Sequence, residues 1–248
     1  MQLVIANKNY SSWSMRPWVL MKGLGIPFEE VMVRFTLGHE AFGEAVRRWS
    51  PAGRVPVLIE DGDDGDVGDS GQPGSEAQGH ESSPQRQAVW DSLAIVETLH
   101  ERFPDRGVWP TEARARAHAR SVCAEMHAGF GALRQAFPMN IELSMPDIGP
   151  RLCAEQPALR QDVARIEALW AEALQASGGP FLFGAFGAAD AFFAPVALRF
   201  RSYGVPIGEG SRAYADRLLG APGPAAWIAE ALLEQKFVPE DEPYRSRR

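Results

Sequence analysis

A chain of 248 residues is long enough for one large domain or two small ones. With 45% hydrophobic and 23% charged residues it has the composition of an ordinary globular protein, which argues against disordered and fibrous classes. The net charge of −7 supplies no basic field for a phosphate backbone, so we expect no nucleic-acid partner. Neither a signal-peptide pattern nor an apolar stretch of about 18 residues occurs, so we expect a cytoplasmic protein without membrane contact.

The amino-terminal part alternates strand and helix signals. Residues 3–6 are a short apolar run typical of a buried strand, and 11–25 combine hydroxyl residues with a helical apolar face that ends at glycines. Residues 28–35 alternate like a strand, and 39–49 indicate a short helix. The order so far is βαβα.

Two further strands and a helix complete this part of the chain. Residues 52–62 and 87–90 have strand character and predict a hairpin. The segment from about 61 to 87 is rich in Asp, Gly and Ser, and we expect it to be a flexible loop inside that hairpin. An EF-hand calcium loop is disfavoured there, because the bidentate Glu at the twelfth position is missing. Residues 91–103 repeat apolar side chains at helical spacing.

Beyond a Pro/Gly-punctuated linker at 104–110, every periodic segment is helical. We predict one helix of about 25 residues capped by Thr111, and further helices at 157–179, 188–203, 211–219 and 224–235, with a frayed carboxyl terminus. The predicted organisation is therefore an α/β domain at 1–103 and an all-α domain at 111–248.

The cysteines and histidines do not indicate a metal centre. Cys123 and Cys153 are far apart, which suggests neither a disulfide framework nor a zinc site. Cys123 and His127 share a helix face at i and i+4, but no further ligands are evident, so a packed helix interior is the better account. We expect no metal.

Four local patterns point to a specific family. They are NYSSWSMRPW at 9–18, the Val55–Pro56 pair in GRVPVL, the Asp91–Ser92 pair that opens a helix, and FLFGAFGAADAFFAPV at 181–196. Together with the element order, they resemble the cytosolic glutathione transferases over nearly the whole chain, with only 61–87 outside. The first pattern is similar to that of serine-type members such as the zeta class. The resemblance implies a thioredoxin-like domain followed by an all-helical domain.

The resemblance assigns thiol activation to Ser11. Glutathione's thiol has a pKa near that of Cys, about 8.5, and must be held as the thiolate to attack. A hydroxyl donor and the positive end of a helix dipole favour the anion, and Arg16 would add charge. Ser12 and Ser14 are the alternative donors. The competing interpretation is that these serines only cap the helix.

The remaining patterns imply contacts along the tripeptide. Val55, before a cis Pro56, would pair with the cysteinyl backbone, although a trans edge proline is the ordinary alternative. Ser92 would bind the γ-glutamyl carboxylate at a helix amino terminus and Asp91 the ammonium group, unless Asp91 is a plain cap.

Other residues are assigned from their expected positions. His39 and Arg54 would meet the glycyl carboxylate, with an exposed polar loop as the alternative. Trp13, Met126 and Phe130 would line an apolar substrate pocket, and helix packing competes for the last two. Asp190 is expected to be a structural helix cap, with Gly187 where the family has Ser or Thr.

These expectations define an enzyme that uses glutathione as co-substrate and transfers its sulfur to a small apolar electrophile. A glutathione-dependent isomerase of the zeta type is the alternative, although that class has Cys where Trp13 stands. A non-catalytic interaction module is the third hypothesis. The resemblance also implies a homodimer.

Overall fold

The computed structural model describes residues 1–35, 39–60 and 86–247, with the side chains of 39 and 40 outside the description. A four-stranded mixed sheet occupies the amino-terminal part. Its strands are β1 (Gln2–Ile5), β2 (Glu29–Met32), β3 (Val57–Glu60) and β4 (Gln87–Val89). They lie in the order β2-β1-β3-β4, with β1 parallel to β2 and antiparallel to β3, and β3 antiparallel to β4.

Three helices cover the sheet: α1 (Ser12–Gly23), α2 (His39–Arg47) and α3 (Ser92–Arg102). Alternate side chains of a strand point to opposite faces, so β1 serves two cores. Leu3 and Ile5 pack in the large core with α1 and α3, whereas Val4 packs in a smaller core with α2. The predicted βαβα order, followed by a hairpin and a helix, is confirmed.

The rest of the described chain is helical. Helix α8 (Ala188–Tyr203) lies at its centre, and every residue of α8 except Arg201 is buried. Helix α1 packs against both α8 and α10 (Pro222–Glu234), and these contacts join the helical part to the sheet. The helices are α4 (Ala113–Ala128), α5 (Gly131–Ala136), α6 (Ile148–Glu155), α7 (Pro157–Ser177), α8 (Ala188–Tyr203), α9 (Glu209–Gly220) and α10 (Pro222–Glu234).

The single long helix predicted from Thr111 onward is wrong, because the chain breaks between α4 and α5. Gly129 closes α4 with its N–H on the carbonyl of Glu125, and a Cβ at this position would lie 2.8 Å from that oxygen. Phe130 then adopts a left-handed conformation with φ of 59°. The cap of α4 is Glu112 rather than Thr111, since its carboxylate accepts from two first-turn amides.

Asp190, the predicted structural cap, lies in the first turn of α8. One carboxylate oxygen accepts from the N–H of Gly187, and the other accepts from the N–H of Leu182 and the hydroxyl of Tyr214. Burial raises the pKa of Asp190 to about 6, because its effect outweighs that of the three hydrogen bonds, each of which lowers the pKa.

The carboxyl terminus folds back on the molecule, so the expectation of a frayed end is wrong. A short 3₁₀ turn at Pro239–Asp241 leads to Glu242, which is buried and accepts from the Tyr10 hydroxyl at 2.7 Å. Tyr244 donates to the carbonyl of Ala136. The terminal segment thereby joins the first loop of the chain to α5.

The structure tests the prediction of the hairpin but not that of the loop inside it. Strands β3 and β4 pair antiparallel, as predicted, and the Val55–Pro56 bond before β3 is cis. The flexible-loop prediction for the segment around 61–87 falls mostly on residues 61–85, which lie outside the described residues. Within the described part of the chain, each helix is too short or too polar to cross a bilayer.

Candidate functional site

A cleft of about 830 Å³ opens between the sheet domain and the helices. One wall comes from the loop before α1 and the turn before β3, and the other from α4, α5 and α8. The polypeptide near the carboxyl terminus reaches its rim through Asp241. The residues lining it on the sheet side are Tyr10, Ser11, Ser12, Trp13, Phe35, Phe42, Gly53, Arg54, Val55, Pro56 and Asp91.

The serine cluster stands at the start of α1, as the sequence predicts. Ser11 is the residue before the helix, and its Oγ donates to Oγ of Ser14 at 2.8 Å. Ser14 is buried and also accepts from the N–H of Ala6. Ser11 and Ser12 line the cleft, whereas Ser14 lies behind them.

Ser12 has a charged partner from the other wall. Nη2 of Arg199 donates to Oγ of Ser12 at 3.2 Å, although the two residues are 187 positions apart. Arg199 is buried on α8 and also donates to the carbonyls of Phe137 and Pro195. Burial and the nearby charge of Arg134 lower the pKa of Arg199 to about 10, so it stays cationic at neutral pH.

Of the predicted tripeptide contacts, Arg54, Val55, Pro56 and Asp91 line the same cleft, whereas Ser92 is buried next to Asp91 and does not line it. Arg54, Val55 and Pro56 form the edge beside β3, with Arg54 exposed. Asp91 caps α3 by accepting from the N–H of Leu93, so the capping interpretation of this residue is correct in part. Its carboxylate is half exposed and lines the cleft, with Oδ1 on the N–H of Leu93 and Oδ2 3.1 Å from Nε2 of His127.

Ser92, the first residue of α3, carries an unpartnered hydroxyl. Its side chain is fully buried, and its Oγ has no hydrogen-bond partner within the described residues. Buried hydroxyls are normally paired, since an unpaired one costs free energy. A hydroxyl left without a partner at a helix amino terminus is consistent with a site for an anionic group.

His127, assigned to helix packing from the sequence, faces the cleft from α4. Its Nε2 lies 3.1 Å from a carboxylate oxygen of Asp91, and its ring meets Trp13 edge to face. Burial and repulsion from Arg16 and Arg134 lower the pKa of His127 despite the attraction of Asp91. The neutral imidazole therefore donates to Asp91 and orients its carboxylate.

Trp13 lines the cleft, as predicted, between two guanidinium groups. Arg134 stands 5.1 Å from the ring centre, and Arg16 stands 4.1 Å from it. Arg16 is buried behind Trp13 and against Phe192, and does not line the cleft. The role predicted for Arg16, to add positive charge near the thiolate, therefore stays a prediction, and its guanidinium would act from behind Trp13 rather than from the cleft surface.

Two predicted pocket residues are in the core instead. Met126 and Phe130 are buried, and neither lines the cleft, because the α4 face that carries Met126 packs on α8. The break at Phe130 turns that ring inward and presents α5 to the cleft. His39 begins α2, but its side chain lies outside the described residues.

Sequence reasoning missed most of the helical wall. The lining side chains from this wall are His127, Arg134, Gln135, Pro138, Met139 and Arg199. A signal for Arg199 exists, since an arginine in the apolar run FFAPVALRF is costly to bury without a role. The Gly-Phe-Gly triplet at 129–131 is the corresponding signal for the break.

The titratable side chains that the structure describes are not grouped like a metal centre. Among the described residues, no group of three His, Cys, Asp or Glu is arranged to hold a metal ion. Cys123 and Cys153 are free and buried. Burial raises the pKa of the Cys123 thiol well above its ordinary value.

Comparison with known proteins gives a family match for the amino-terminal part of the chain. Residues 10–102 match the model of the glutathione S-transferase N-terminal domain. A probable maleylacetoacetate isomerase of Caenorhabditis elegans is 26% identical over 122 residues, which are 49% of this chain and 44% of the relative. The match thus spans less than half the length of that curated relative.

Solved structures show the same fold over nearly the whole chain. A glutathione transferase homologue from Burkholderia with bound glutathione is 19% identical, with a TM-score of 0.60 over 95% of this chain and 98% of that one. Glutathione transferase Omega 1C from Trametes versicolor is 17% identical, with a TM-score of 0.62 over 100% and 99%. The predicted thioredoxin-like plus all-helical fold is confirmed, and residues 10–102 match the N-terminal domain of the glutathione S-transferases.

Proposed function

We propose that this protein binds glutathione in the cleft and transfers its sulfur to a small electrophile. The observation that carries the proposal is the convergence of a serine cluster, the Val55–Pro56 edge and Asp91 on one cleft, with the unpartnered hydroxyl of Ser92 directly behind Asp91 in the chain. The first supplies thiol chemistry and the others fit a tripeptide with two carboxylates and one ammonium group. A structural domain has no evident need of all three.

The binding half of the proposal follows the sequence of groups along the cleft. Ser92 and the amino terminus of α3 receive the γ-glutamyl carboxylate, and Asp91, held by His127, receives the ammonium group. The cysteinyl backbone pairs with Val55 like an added strand. Arg54 is placed to meet the glycyl carboxylate, and His39 remains a proposed second contact.

The chemical half concerns the thiol at the start of α1. The S–H proton leaves to solvent, and a serine hydroxyl donates to the sulfur so that the thiolate persists at neutral pH. Ser11 is the donor that the family resemblance implies. The thiolate then forms a C–S bond with the electrophile, which either expels its leaving group or takes up a proton. Glutathione is the co-substrate, and no metal takes part.

The electrophile would lie between Trp13 and the helical wall. Trp13, Pro138 and Met139 offer apolar surface, whereas Arg134 and Gln135 make part of this wall polar. We propose a small electrophile with an apolar body, although the wall differs from the apolar one predicted from Met126 and Phe130.

Calorimetry with glutathione and with S-methylglutathione tests the binding half. Both should bind, since most contacts are to the backbone and the γ-glutamyl group. A panel of aryl halides, enones, epoxides and peroxides, assayed with glutathione, tests the chemistry. A protein that binds neither ligand would contradict the proposed function.

A second candidate is glutathione-dependent isomerisation of a cis alkene. The observation that favours it is the similarity to the probable maleylacetoacetate isomerase. In that reaction the thiolate adds to the double bond, the adduct rotates and the thiolate leaves again. Conversion of maleylacetoacetate without glutathione consumption would select this candidate over conjugation.

The assembly and location remain proposals. A homodimer is expected from the family, and so is a cytoplasmic location with a role in detoxification. Sedimentation at micromolar concentration tests the dimer: a species of 27.2 kDa alone would contradict it. A scaffold function without catalysis would be supported by a folded protein that binds no glutathione.

A further inference from the structure

The two serines that line the cleft differ in where their hydroxyl protons are directed. Ser11 donates to Ser14, which already accepts from the N–H of Ala6. Ser12 instead accepts from Nη2 of Arg199. A hydroxyl has one proton and two lone pairs, so a lone pair of Ser12 is occupied and its proton is available. A thiolate needs a donor, and Ser12 has the uncommitted one.

Arg199 is a buried cation whose recorded hydrogen bonds all go to neutral groups. Its three donor bonds go to the carbonyls of Phe137 and Pro195 and to Oγ of Ser12. No carboxylate lies within ion-pair distance of it in the part of the chain that the structure describes. A buried guanidinium without a counter-ion is costly, which indicates that an anion completes the site.

We infer that Ser12, held and polarised by Arg199, is the hydroxyl that donates to the glutathione sulfur. The inference rests on the proposed function and changes the donor from Ser11 to its neighbour. Arg199 is then a positioning residue, which acts on the sulfur through Ser12. Ser11 and Ser14 form a structural pair that fixes the loop before α1.

The polarity of the arrangement supports this assignment. A cationic donor on the hydroxyl oxygen draws electron density from it and strengthens the O–H as a donor. It also rotates the proton away from Arg199 and toward the open cleft. Because the guanidinium is fixed by two backbone carbonyls, the hydroxyl is oriented before the ligand arrives, which is the condition for effective anion stabilisation.

Other groups near this end of the cleft set the background for any thiol titration. Tyr10 donates its hydroxyl proton to Glu242, and burial raises its pKa to about 12, so it is already paired and does not titrate near neutral pH. The charged and titratable groups around Ser12 are Arg16, Asp91, His127, Arg134 and Asp241.

The test measures the ultraviolet absorbance of the bound thiolate against pH, together with calorimetric glutathione affinity. Ser12→Ala should raise the apparent thiol pKa by about one unit or more and lower kcat at least roughly ten-fold, with affinity within several-fold of the parent. Ser12→Thr should restore most of the effect. Ser11→Ala should shift the thiol pKa less than Ser12→Ala, and Ser121→Ala, an exposed serine on α4, is the matched control.

Arg199→Lys tests the positioning role, because it keeps the charge and removes the fork that bonds Ser12. As a single change, it should raise the apparent pKa of the bound thiol. Combined with Ser12→Ala, it should raise that pKa little beyond the value in Ser12→Ala alone. A full, additive effect in that background would overturn the role of Arg199. If Arg199→Lys does not fold, as circular dichroism will show, the serine variants still decide the donor.

The outcomes separate this inference from the proposed function. Loss of thiolate in Ser11→Ala but not in Ser12→Ala would overturn the inference and leave a transferase with Ser11 as donor. A parent protein that binds no glutathione would overturn both.

Discussion

Ser92 carries a buried hydroxyl that is left unsatisfied at the start of α3. Its buried Oγ has no partner within the described residues, so removing it costs the free protein no hydrogen bond. Ser92→Ala should therefore leave the melting temperature unchanged or slightly higher. Glutathione affinity should fall about ten-fold or more, as expected for a hydrogen bond to a charged group. Calorimetry and a thermal melt measure the two effects.

A serine in an exposed helical position is the control for this change. Ser121→Ala, on α4, should alter neither glutathione affinity nor the melting temperature appreciably. If Ser92→Ala lowered stability while affinity stayed the same, the hydroxyl would have a structural role instead.

Asp190 gives a residue-scale prediction with a defined pH dependence. Its pKa is about 6 in the folded protein and about 3.8 in the unfolded chain, so the folded state holds the proton more tightly. Its contribution to stability is therefore fully present below about pH 4 and is lost as pH rises through 6. Between pH 4.5 and 7 this loss is about 2 kcal/mol.

The variant Asp190→Asn should lack that contribution. Urea unfolding of parent and variant should show a penalty for Asn that is larger at pH 4.5 than at pH 7. Because Asp190 does not line the cleft, the folded variant should keep its turnover. An equal penalty at both pH values, or selective loss of turnover, would contradict this account.

The residues that sequence reasoning placed correctly are those whose position depends on local chain geometry. Asp91 and Ser92 open a helix, and Val55–Pro56 precedes a strand, so a few neighbouring residues determine where they stand. Arg199 and Arg134 were missed because their contact with Ser12 and Trp13 depends on how α5 and α8 pack on α1. Helical periodicity gives no information on that packing.

At the scale of elements, the break between α4 and α5 shapes the helical wall. Without it α4 would continue along one axis, and Arg134 would not reach Trp13. The sequence predicted an unbroken helix because the apolar spacing is continuous across 126–133, and a single glycine is tolerated inside helices. The close approach of Gly129 to the carbonyl of Glu125 depends on the backbone conformation at this point, which the spacing of apolar residues does not predict.

Gly129→Ala should disturb this break. The added Cβ would lie 2.8 Å from the carbonyl oxygen of Glu125, which forces a backbone shift that costs about 1–3 kcal/mol. Urea unfolding measures the cost. Since α5 carries Arg134, the shift should also weaken binding of the electrophile, seen as a raised KM.

The neighbouring glycine provides a matched control. A Cβ at Gly131 meets nothing within 4 Å and lies in the first turn of α5, so Gly131→Ala should be neutral or slightly stabilising. Equal effects of the two substitutions would show that the contact with Glu125 is unimportant.

At the scale of the whole molecule, Lys8 joins the two parts of the chain. Its side chain is buried beneath the first loop and pairs with Glu30 on β2 and Glu230 on α10. The ammonium group also stands over the rings of Trp18 and Trp227, which contact each other edge to face. Sequence patterns do not reveal this junction, because Lys8 and Glu230 are 222 residues apart along the chain.

Lys8→Met retains the apolar stem and removes the charge, so it tests the junction itself. Two partly exposed carboxylates and two ring faces lose their cation, and we expect a destabilisation of about 2–4 kcal/mol, tempered by the access of water to both glutamates. Lys22→Met is the matched control, because Lys22 also stands over Trp18 but is exposed on α1 and should cost less than about 0.5 kcal/mol. Urea unfolding followed by tryptophan fluorescence and by circular dichroism measures both variants. If this junction couples the two parts, the fluorescence and circular dichroism transitions should coincide in the parent and separate in Lys8→Met. Coincident transitions with an unchanged midpoint in Lys8→Met would show that Lys8 does not couple the two parts.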